Sequence, residues 1–289
     1  MDERMDERLE LLLMLKEEEV AIYMEDFLSD VFEEVFHSQG NYIYAIGDTP
    51  YCLVAHMDTV RDESKPIDLK KTRNMVTNRH GILGADDRAG VYAITKIIER
   101  LDALPSILLT HGEESGGLGA IQFVHDRIWS GKDTLFVELD RKGCNDYVSY
   151  GYRPNKTLRR YLGSFGYIEN RGTFSDIAIL TEDLEVPSVN LSVGYYDQHT
   201  KHERLHLDEL EMTIQRVAAM CREPLRKRYR VHMESRLPWY WPNKITGKKN
   251  NSFHCNSCPQ KLHSVGDMVE CSYFGWVFKE DAQACPLTV

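Results

Sequence analysis

Histidines and carboxylates recur in this chain at the ends of apolar runs. His56 and Asp58 close the run CLVA, and Asp86 and Asp87 stand in GADDRAG where a helix begins. Glu113 and Glu114 follow ILLTHG, Asp140 ends TLFVEL, and His199 comes just after SVNLSVGYYDQ. One such residue is ordinarily a turn residue or a helix cap. Four or five together ask for another explanation, because burying that many carboxylates in one crevice is costly without cations. Imidazole and carboxylate together suit zinc or a similar divalent ion. The number of groups allows two ions that share one carboxylate.

The elements that must position these groups alternate along the chain. Short apolar runs, YIYAIG, CLVAHMD, ILLTHG, TLFVELD, YVSYG and SVNLSVG, read as strands. Longer amphipathic stretches lie between them, such as Gly90 to Leu101 and Leu118 to Ile128. Strands alternating with helices imply an α/β fold, with a mostly parallel central sheet covered by helices on both faces. In such a sheet ligands gather beyond the carboxyl ends of the strands, where the polar groups fall. Residues 5 to about 37 read as one helical region, from Leu9, Leu12, Leu13, Val20, Tyr23, Phe27 and Val31 at steps of three and four. A last helix is expected from Leu207 to about Arg222.

The chain has 289 residues, 42% hydrophobic and 28% charged, which is the composition of a folded protein rather than a disordered one. A net charge of −10 repels phosphate backbones and disfavours general nucleic-acid binding. No apolar run reaches the ~18 residues that a membrane helix needs. The charged opening MDERMDERLE is unlike a secretory signal, so a cytoplasmic location is expected.

Three segments are expected: a catalytic domain with its N-terminal helix over 1–223, a basic connector over 224–250, and a small Cys-containing appendage over 251–289. The connector carries Arg226, Lys227, Arg228, Arg230, Arg236, Lys244, Lys248 and Lys249 with few acids. Four of the seven cysteines fall in the appendage. Cys255 and Cys258 form a CxxC pair that, with Cys271 and Cys285, would suit a structural zinc ion. The alternative is reduced cysteines packed against Phe274, Trp276 and Phe278.

The motifs resemble the di-zinc exopeptidase superfamily, which includes tripeptidase T, the tetrahedral aminopeptidases, glutamate carboxypeptidases and related deacylases. AHMDTV is similar to its His-x-Asp motif, GADDRAG to its bridging-aspartate motif and HGEESGG to its Glu-Glu motif. VELD resembles the next acidic ligand segment, GTFSD the substrate-side segment, and QHTKHE the closing motif. The six occur in family order over residues 51 to 206.

The resemblance implies a three-layer α/β/α fold and two divalent cations, with zinc expected. Asp86 would bridge the two, His56 and Asp140 would complete one site, and Glu114 and His199 the other. Asp86 is chosen over Asp87, and His199 over His202 and His206, because these positions match the motifs. Asp58 would fix the tautomer of His56, and Glu113 would be the general base acting on a metal-activated water. A cis peptide is expected after Asp86. Thr173, Ser175, Asp176 and Tyr196 are candidate substrate contacts, and Tyr195 and Tyr196 candidates for the pocket wall, with a structural role as the alternative for each. His111 beside the Glu pair is read as a strand cap rather than a substrate contact. Many members insert a lid domain before the GTFSD segment, but only about 30 residues separate Asp140 from Gly172 here, so a compact core is expected.

These features imply hydrolysis of peptide or amide bonds, with an aminopeptidase or exopeptidase leading. A deacylase of small N-acyl substrates uses the same chemistry, and an inactive peptidase-like binding module is the non-enzymatic alternative. The substrate would be a peptide or small amide, and no membrane partner is expected. The sequence leaves the oligomeric state open.

Overall fold

A computed structural model describes residues 5–150, 152 and 154–225, together with three short strands between 261 and 278. The helical region expected over 5–37 is two helices and a strand. Helix α1 (Glu7–Met14) starts at Asp6, whose carboxylate accepts from the Arg8 N–H, and stops at the extended Leu15. Helix α2 (Glu17–Ser29) begins after Lys16, whose N–H donates to Glu19 at 2.8 Å. Both helices bury a stripe, Leu9, Leu12 and Leu13 on the first and Val20, Met24 and Leu28 on the second. The three-and-four spacing therefore runs across the break and hides it. Strand β1 (Val35–Ser38) then pairs antiparallel with β2 (Tyr42–Ala45), through a turn in which Gly40 takes φ +72°.

The remaining elements follow the alternation read from the sequence. They are β3 (Tyr51–His56), β4 (Leu69–Thr72), β5 (Met75–Asn78), α3 (Ala85–Ile98), β6 (Ser106–Thr110), α4 (Leu118–Asp126) and β7 (Leu135–Arg141). Then come β8 (Asp146–Val148), α5 (Lys156–Ser164), β9 (Ile168–Glu169), α6 (Asp176–Leu184), β10 (Ser188–Ser192), β11 (Tyr195–Tyr196), β12 (Arg204–His206) and α7 (Leu207–Arg222). The main sheet has the order β1-β2-β6-β3-β7-β10-β8-β9. Its centre, β6-β3-β7-β10, is parallel throughout, while β1, β2 and β8 add antiparallel pairings towards the edges.

Side-chain alternation makes the layers. Tyr51, Leu53 and Ala55 point to one face and pack with α1, α2, α3 and α7, while Cys52 and Val54 point to the other and pack with α4 and α6. Both faces are covered, so β3, β6 and β10 are buried along their whole length and β7 over its first five residues. The fold is a three-layer α/β/α sandwich. No helix among the described residues is long and apolar enough to cross a membrane.

A second, antiparallel sheet, β11-β12-β5-β4, is not anticipated by the sequence pattern. It joins residues 69–78 to residues 195–206, and so ties the segment before GADDRAG to the segment that carries His199. Between Asp140 and Gly172 the chain forms β8, α5 and β9, and β8 and β9 lie at one edge of the main sheet.

Gly90 marks where α3 meets β7. A Cβ there would lie 2.1 Å from the Leu139 carbonyl oxygen and 2.5 Å from Asp87 Oδ1. Backbone cannot retreat cheaply, so Gly90→Ala should destabilise the protein by about 3 kcal/mol. Chemical denaturation should show a lower midpoint with an unchanged slope.

The chain divides into two units, residues 1–236 and 237–289. The second contains an antiparallel sheet of Lys261–Val265, Met268–Cys271 and Gly275–Phe278. Cys255, Cys258 and Cys285, the side chain of Cys271, and the basic connector after residue 225 lie outside the described residues.

Candidate metal centre

The parallel strands deliver their polar groups to one end of the sheet. His56 is the last residue of β3, Asp140 lies next to the end of β7, and Glu113 and Glu114 sit in the turn after β6. Asp86 stands in the first turn of α3, where Asp86 and Asp87 depart from helical dihedrals and are joined by a cis peptide, as the resemblance implies. His199 comes from the turn between β11 and β12 and takes φ +63°. These groups, up to 143 residues apart in the chain, meet in one crevice.

The two oxygens of Asp86 face different imidazoles. Oδ1 lies 3.2 Å from His56 Nε2, and Oδ2 lies 3.1 Å from His199 Nε2. On the His56 side, Asp140 Oδ1 is 3.6 Å from Nε2. On the His199 side, Glu114 Oε1 is 2.6 Å from Nε2. Donor atoms of Asp86, Glu114 and His199 lie within 4.8 Å of one another, as do those of His56, Glu113 and Glu114. Asp87 also comes within this reach of His56 and Asp140. Its oxygens are already engaged, however, Oδ2 by the His56 N–H at 3.2 Å and Oδ1 by the Gly90 N–H at 3.1 Å. Neither His202 nor His206 belongs to any of these groups; His202 is exposed, and the His206 ring packs edge-on to Tyr196 at 5.1 Å.

Surrounding groups hold these side chains in place. Asp58 Oδ1 lies 3.2 Å from His56 Nδ1, and its carboxylate accepts the N–H groups of Glu113 at 3.2 Å and Glu114 at 3.1 Å. It thus fixes an imidazole and the Glu-Glu turn at once. Glu203 is buried and accepts the N–H groups of Gly84 at 2.8 Å and Asp86 at 3.0 Å, so the closing motif holds the backbone that presents Asp86. Two partners of Asp140 carry no sequence signal for that role. The Tyr195 hydroxyl donates to Asp140 Oδ1 at 2.9 Å, and Asn190 Nδ2 donates to the Asp140 carbonyl at 2.9 Å. From the sequence, Tyr195 is a candidate for the pocket wall or for a structural role.

The electrostatics describe a site short of positive charge. Six carboxyl groups, on Asp58, Asp86, Asp87, Glu113, Glu114 and Asp140, surround two imidazoles. Burial and the neighbouring Asp86 push Glu114 up to about 7 and Asp140 up to about 6. Burial, with Asp140 and Asp176 nearby, pushes Glu113 up to about 10 despite His56. Hydrogen bonding to Asp86 carries His199 up to about 9. Burial would raise Asp58 too, but His56 and the two backbone N–H groups hold it at about 2.

The donor set fits divalent cations. Glu114 Oε1 is buried and accepts no hydrogen bond, although an imidazole nitrogen stands 2.6 Å away. An orphaned buried carboxylate oxygen among clustered acids and imidazoles is the kind of donor a divalent cation would satisfy.

The candidate substrate contacts divide. Ser175 and Asp176 are buried beneath the cluster: the Ser175 hydroxyl donates to Glu138, and the Thr110 hydroxyl donates to Asp176. Both residues are buried, as His56 and Asp86 are, and Asp176 Oδ1 has no hydrogen-bond partner; Glu138, the other acid of VELD, is buried beside them. Thr173 is exposed in the loop before α6. Tyr196 is partly exposed and donates to Glu209 at 2.8 Å. His111 Nδ1 meets Glu17 Oε1 at 2.7 Å, joining the strand end to α2.

No protein-family model and no curated protein sequence matches this chain. Solved structures match it throughout the core. Aminopeptidase PepT from Bacillus cereus superposes with a TM-score of 0.61 at 17% identity, covering 74% of this chain and 96% of its own. A tripeptidase from Staphylococcus aureus gives 0.61 at 14% identity, covering 74% and 95%. The TET1 peptidase of Pyrococcus horikoshii, which can assemble into a tetrahedron or an octahedral shell, gives 0.57 at 15% identity, covering 74% and 98%. The fold of this chain is therefore the fold of these peptidases.

Proposed function

We propose that this chain is a metal-dependent hydrolase of peptide or amide bonds, and within that class an exopeptidase of the aminopeptidase type. The observation that carries the reading is the division of Asp86, one oxygen towards His56 and Asp140 and the other towards His199 and Glu114. A carboxylate placed in this way suits two cations, and the mixed imidazole and carboxylate donors suit zinc. Such cations, when bound, polarise the scissile carbonyl and make water a stronger acid.

The chain's own residues do the rest. His56, Asp86 and Asp140 would hold one ion, and Asp86, Glu114 and His199 the other. Asp58 keeps the His56 Nδ1 proton on its own side and leaves Nε2 free as a donor to metal. Glu113 lies in the crevice beside His56 and Glu114 but is not needed as a ligand. Its carboxylate takes a proton from the attacking water and passes it to the leaving amine. A base must be ionised to do this; burial holds Glu113 at about 10, and bound divalent charge would lower it.

Two outcomes follow. Zinc-loaded protein should release the aniline from aminoacyl-anilides, whereas turnover confined to N-acyl amino acids would assign the site to a deacylase. Absence of hydrolysis in either assay, with two ions bound, would reject the enzymatic reading. Asp58→Asn should weaken metal binding by about 10–100-fold by removing the carboxylate charge 3.2 Å from His56 Nδ1, although the Asp58 carbonyl at 3.1 Å stays as an acceptor. Calorimetric zinc titration checks this, and unchanged affinity would mean that Asp58 does not tune the His56 imidazole for metal.

A further inference from the structure

Arg88 is buried without a partner. It belongs to GADDRAG, stands in the first turn of α3 two positions after Asp86, and is 0% exposed. None of its three side-chain nitrogens donates to a protein group. A guanidinium carries five N–H donors and keeps its charge in the interior, so leaving all of them without an acceptor is costly.

A second guanidinium lies at the same helix start. Arg61 is buried, and a Cβ on Gly84, the residue before α3, would lie 3.4 Å from Arg61 Cδ and 3.5 Å from its Nη1. The terminal nitrogens of Arg61 donate to the carbonyls of Leu13 and Leu15, where α1 gives way to α2. Burial and then Arg61 lower the Arg88 guanidinium to about 9, against the opposing pull of Glu63, Glu17 and Asp58.

Those three acids are engaged elsewhere. Asp58 accepts the N–H groups of Glu113 and Glu114 and faces His56. Glu63 Oε1 accepts the Glu17 N–H at 2.7 Å, and Glu17 Oε1 meets His111 Nδ1 at 2.7 Å. They balance the charge of Arg88 from a distance and leave its N–H groups without an acceptor. An acceptor that reaches Arg88 must be small, because no part of the side chain is open to a groove that could seat an organic acid. Beside two cations an anion is held more strongly than a neutral acceptor. A monovalent ion suits the place better than a dianion, which the three acids would repel.

We propose that Arg88, backed by the charge of Arg61, binds a buried chloride ion at the start of α3. The ion accepts from the Arg88 guanidinium and lets the two cations lie close together. It thereby steadies α3 against the α1–α2 break, to which Arg61 and Glu63 are already bonded. The site stands whether or not the chain is a hydrolase.

Two measurements on the full-length, zinc-loaded protein test it. Crystals soaked in sodium bromide are recorded on both sides of the bromine absorption edge, where zinc gives an unchanged signal. A bromide peak in contact with the Arg88 guanidinium is expected. In solution, thermal unfolding is followed as sodium chloride replaces sodium gluconate at constant ionic strength, which keeps screening equal. Gluconate is too large for an enclosed site. At ten times its dissociation constant, chloride should raise Tm by about 4 °C over gluconate. Arg88→Met fills much of the same space without the donors, and there the difference should shrink to within about 1 °C. Chloride bound to zinc instead would leave the difference intact in that variant. Bromide at the surface only, equal Tm in the two salts, or a chloride effect that survives Arg88→Met overturns the site. If the variant does not fold, the bromide map and the two-salt comparison on the wild type decide, and both must be positive.

Discussion

Glu113→Gln protein is expected to hydrolyse peptide substrates about 10³-fold more slowly than the wild type while retaining both metal ions. Glutamine keeps the size of the side chain and the acceptor oxygen but cannot take up a proton. The ligands proposed for the two ions, His56, Asp86, Asp140, Glu114 and His199, do not include Glu113. The Glu-Glu turn is fixed through backbone N–H groups donating to Asp58, and this contact is untouched by the substitution. The affected quantity should therefore be kcat rather than metal content or thermal stability. Paired measurements of turnover and of metal by elemental analysis check the prediction. Activity within tenfold of wild type would remove Glu113 as the base. Loss of the metals together with activity would make it a ligand.

Removing the metals should make stability depend on pH in a direction opposite to that of most acidic proteins. Glu114 rises from its ordinary 4.5 to about 7 and Asp140 from 3.8 to about 6, first through burial and then through their acidic neighbours. A carboxyl raised in the folded state holds a proton that the unfolded chain has released. Stability from these groups is therefore present below about 4 and is lost as pH climbs through the folded values. His199, raised from 6.5 to about 9, acts in the same direction, stabilising below 6.5 and losing its effect as pH passes 9. Asp58, held at about 2, works the other way, but only as pH falls below about 4.

Chelated protein should thus melt at progressively lower temperature between pH 5 and 9. Zinc should reverse the trend, because deprotonated ligands bind metal more tightly. Two ions, each at a hundred times its dissociation constant, would contribute about 5 kcal/mol. For a domain of this size that corresponds to about 10–20 °C in Tm. Thermal unfolding at pH 5, 7 and 9, with zinc and with chelator, checks this. A chelated protein that is as stable at pH 9 as at pH 5 would contradict the account of the charge cluster.

Much of this site is legible in the sequence because two signals coincide. CLVAH, ILLTHGEE and TLFVELD each pass from a fully buried strand to a titratable group, and the burial of β3, β6 and the first five residues of β7 follows those apolar runs. The spacing from His199 to Glu203 is also informative, since Glu203 reaches back to the backbone around Asp86. The parts that sequence does not reveal depend on contacts distant along the chain. Tyr195 meets Asp140 across 55 positions and Asn190 meets it across 50, and nothing local marks either pair. The second sheet has no clear signature because LKKT and RLH are short and largely polar, and both pair with β5. Ser175 and Asp176 are candidate substrate contacts in GTFSD, and the turn into α6 places both, buried, beside the cluster, through a bond from Thr110 that the sequence does not mark. The break between α1 and α2 is invisible to periodicity because the buried stripe continues across it.

Diffraction from zinc-grown crystals, recorded on both sides of the zinc absorption edge, addresses the central claim most directly. Two anomalous peaks are predicted, one between Asp86, His56 and Asp140 and the other between Asp86, Glu114 and His199. A crevice without anomalous density, or a single ion that leaves one Asp86 oxygen unbound, would contradict it.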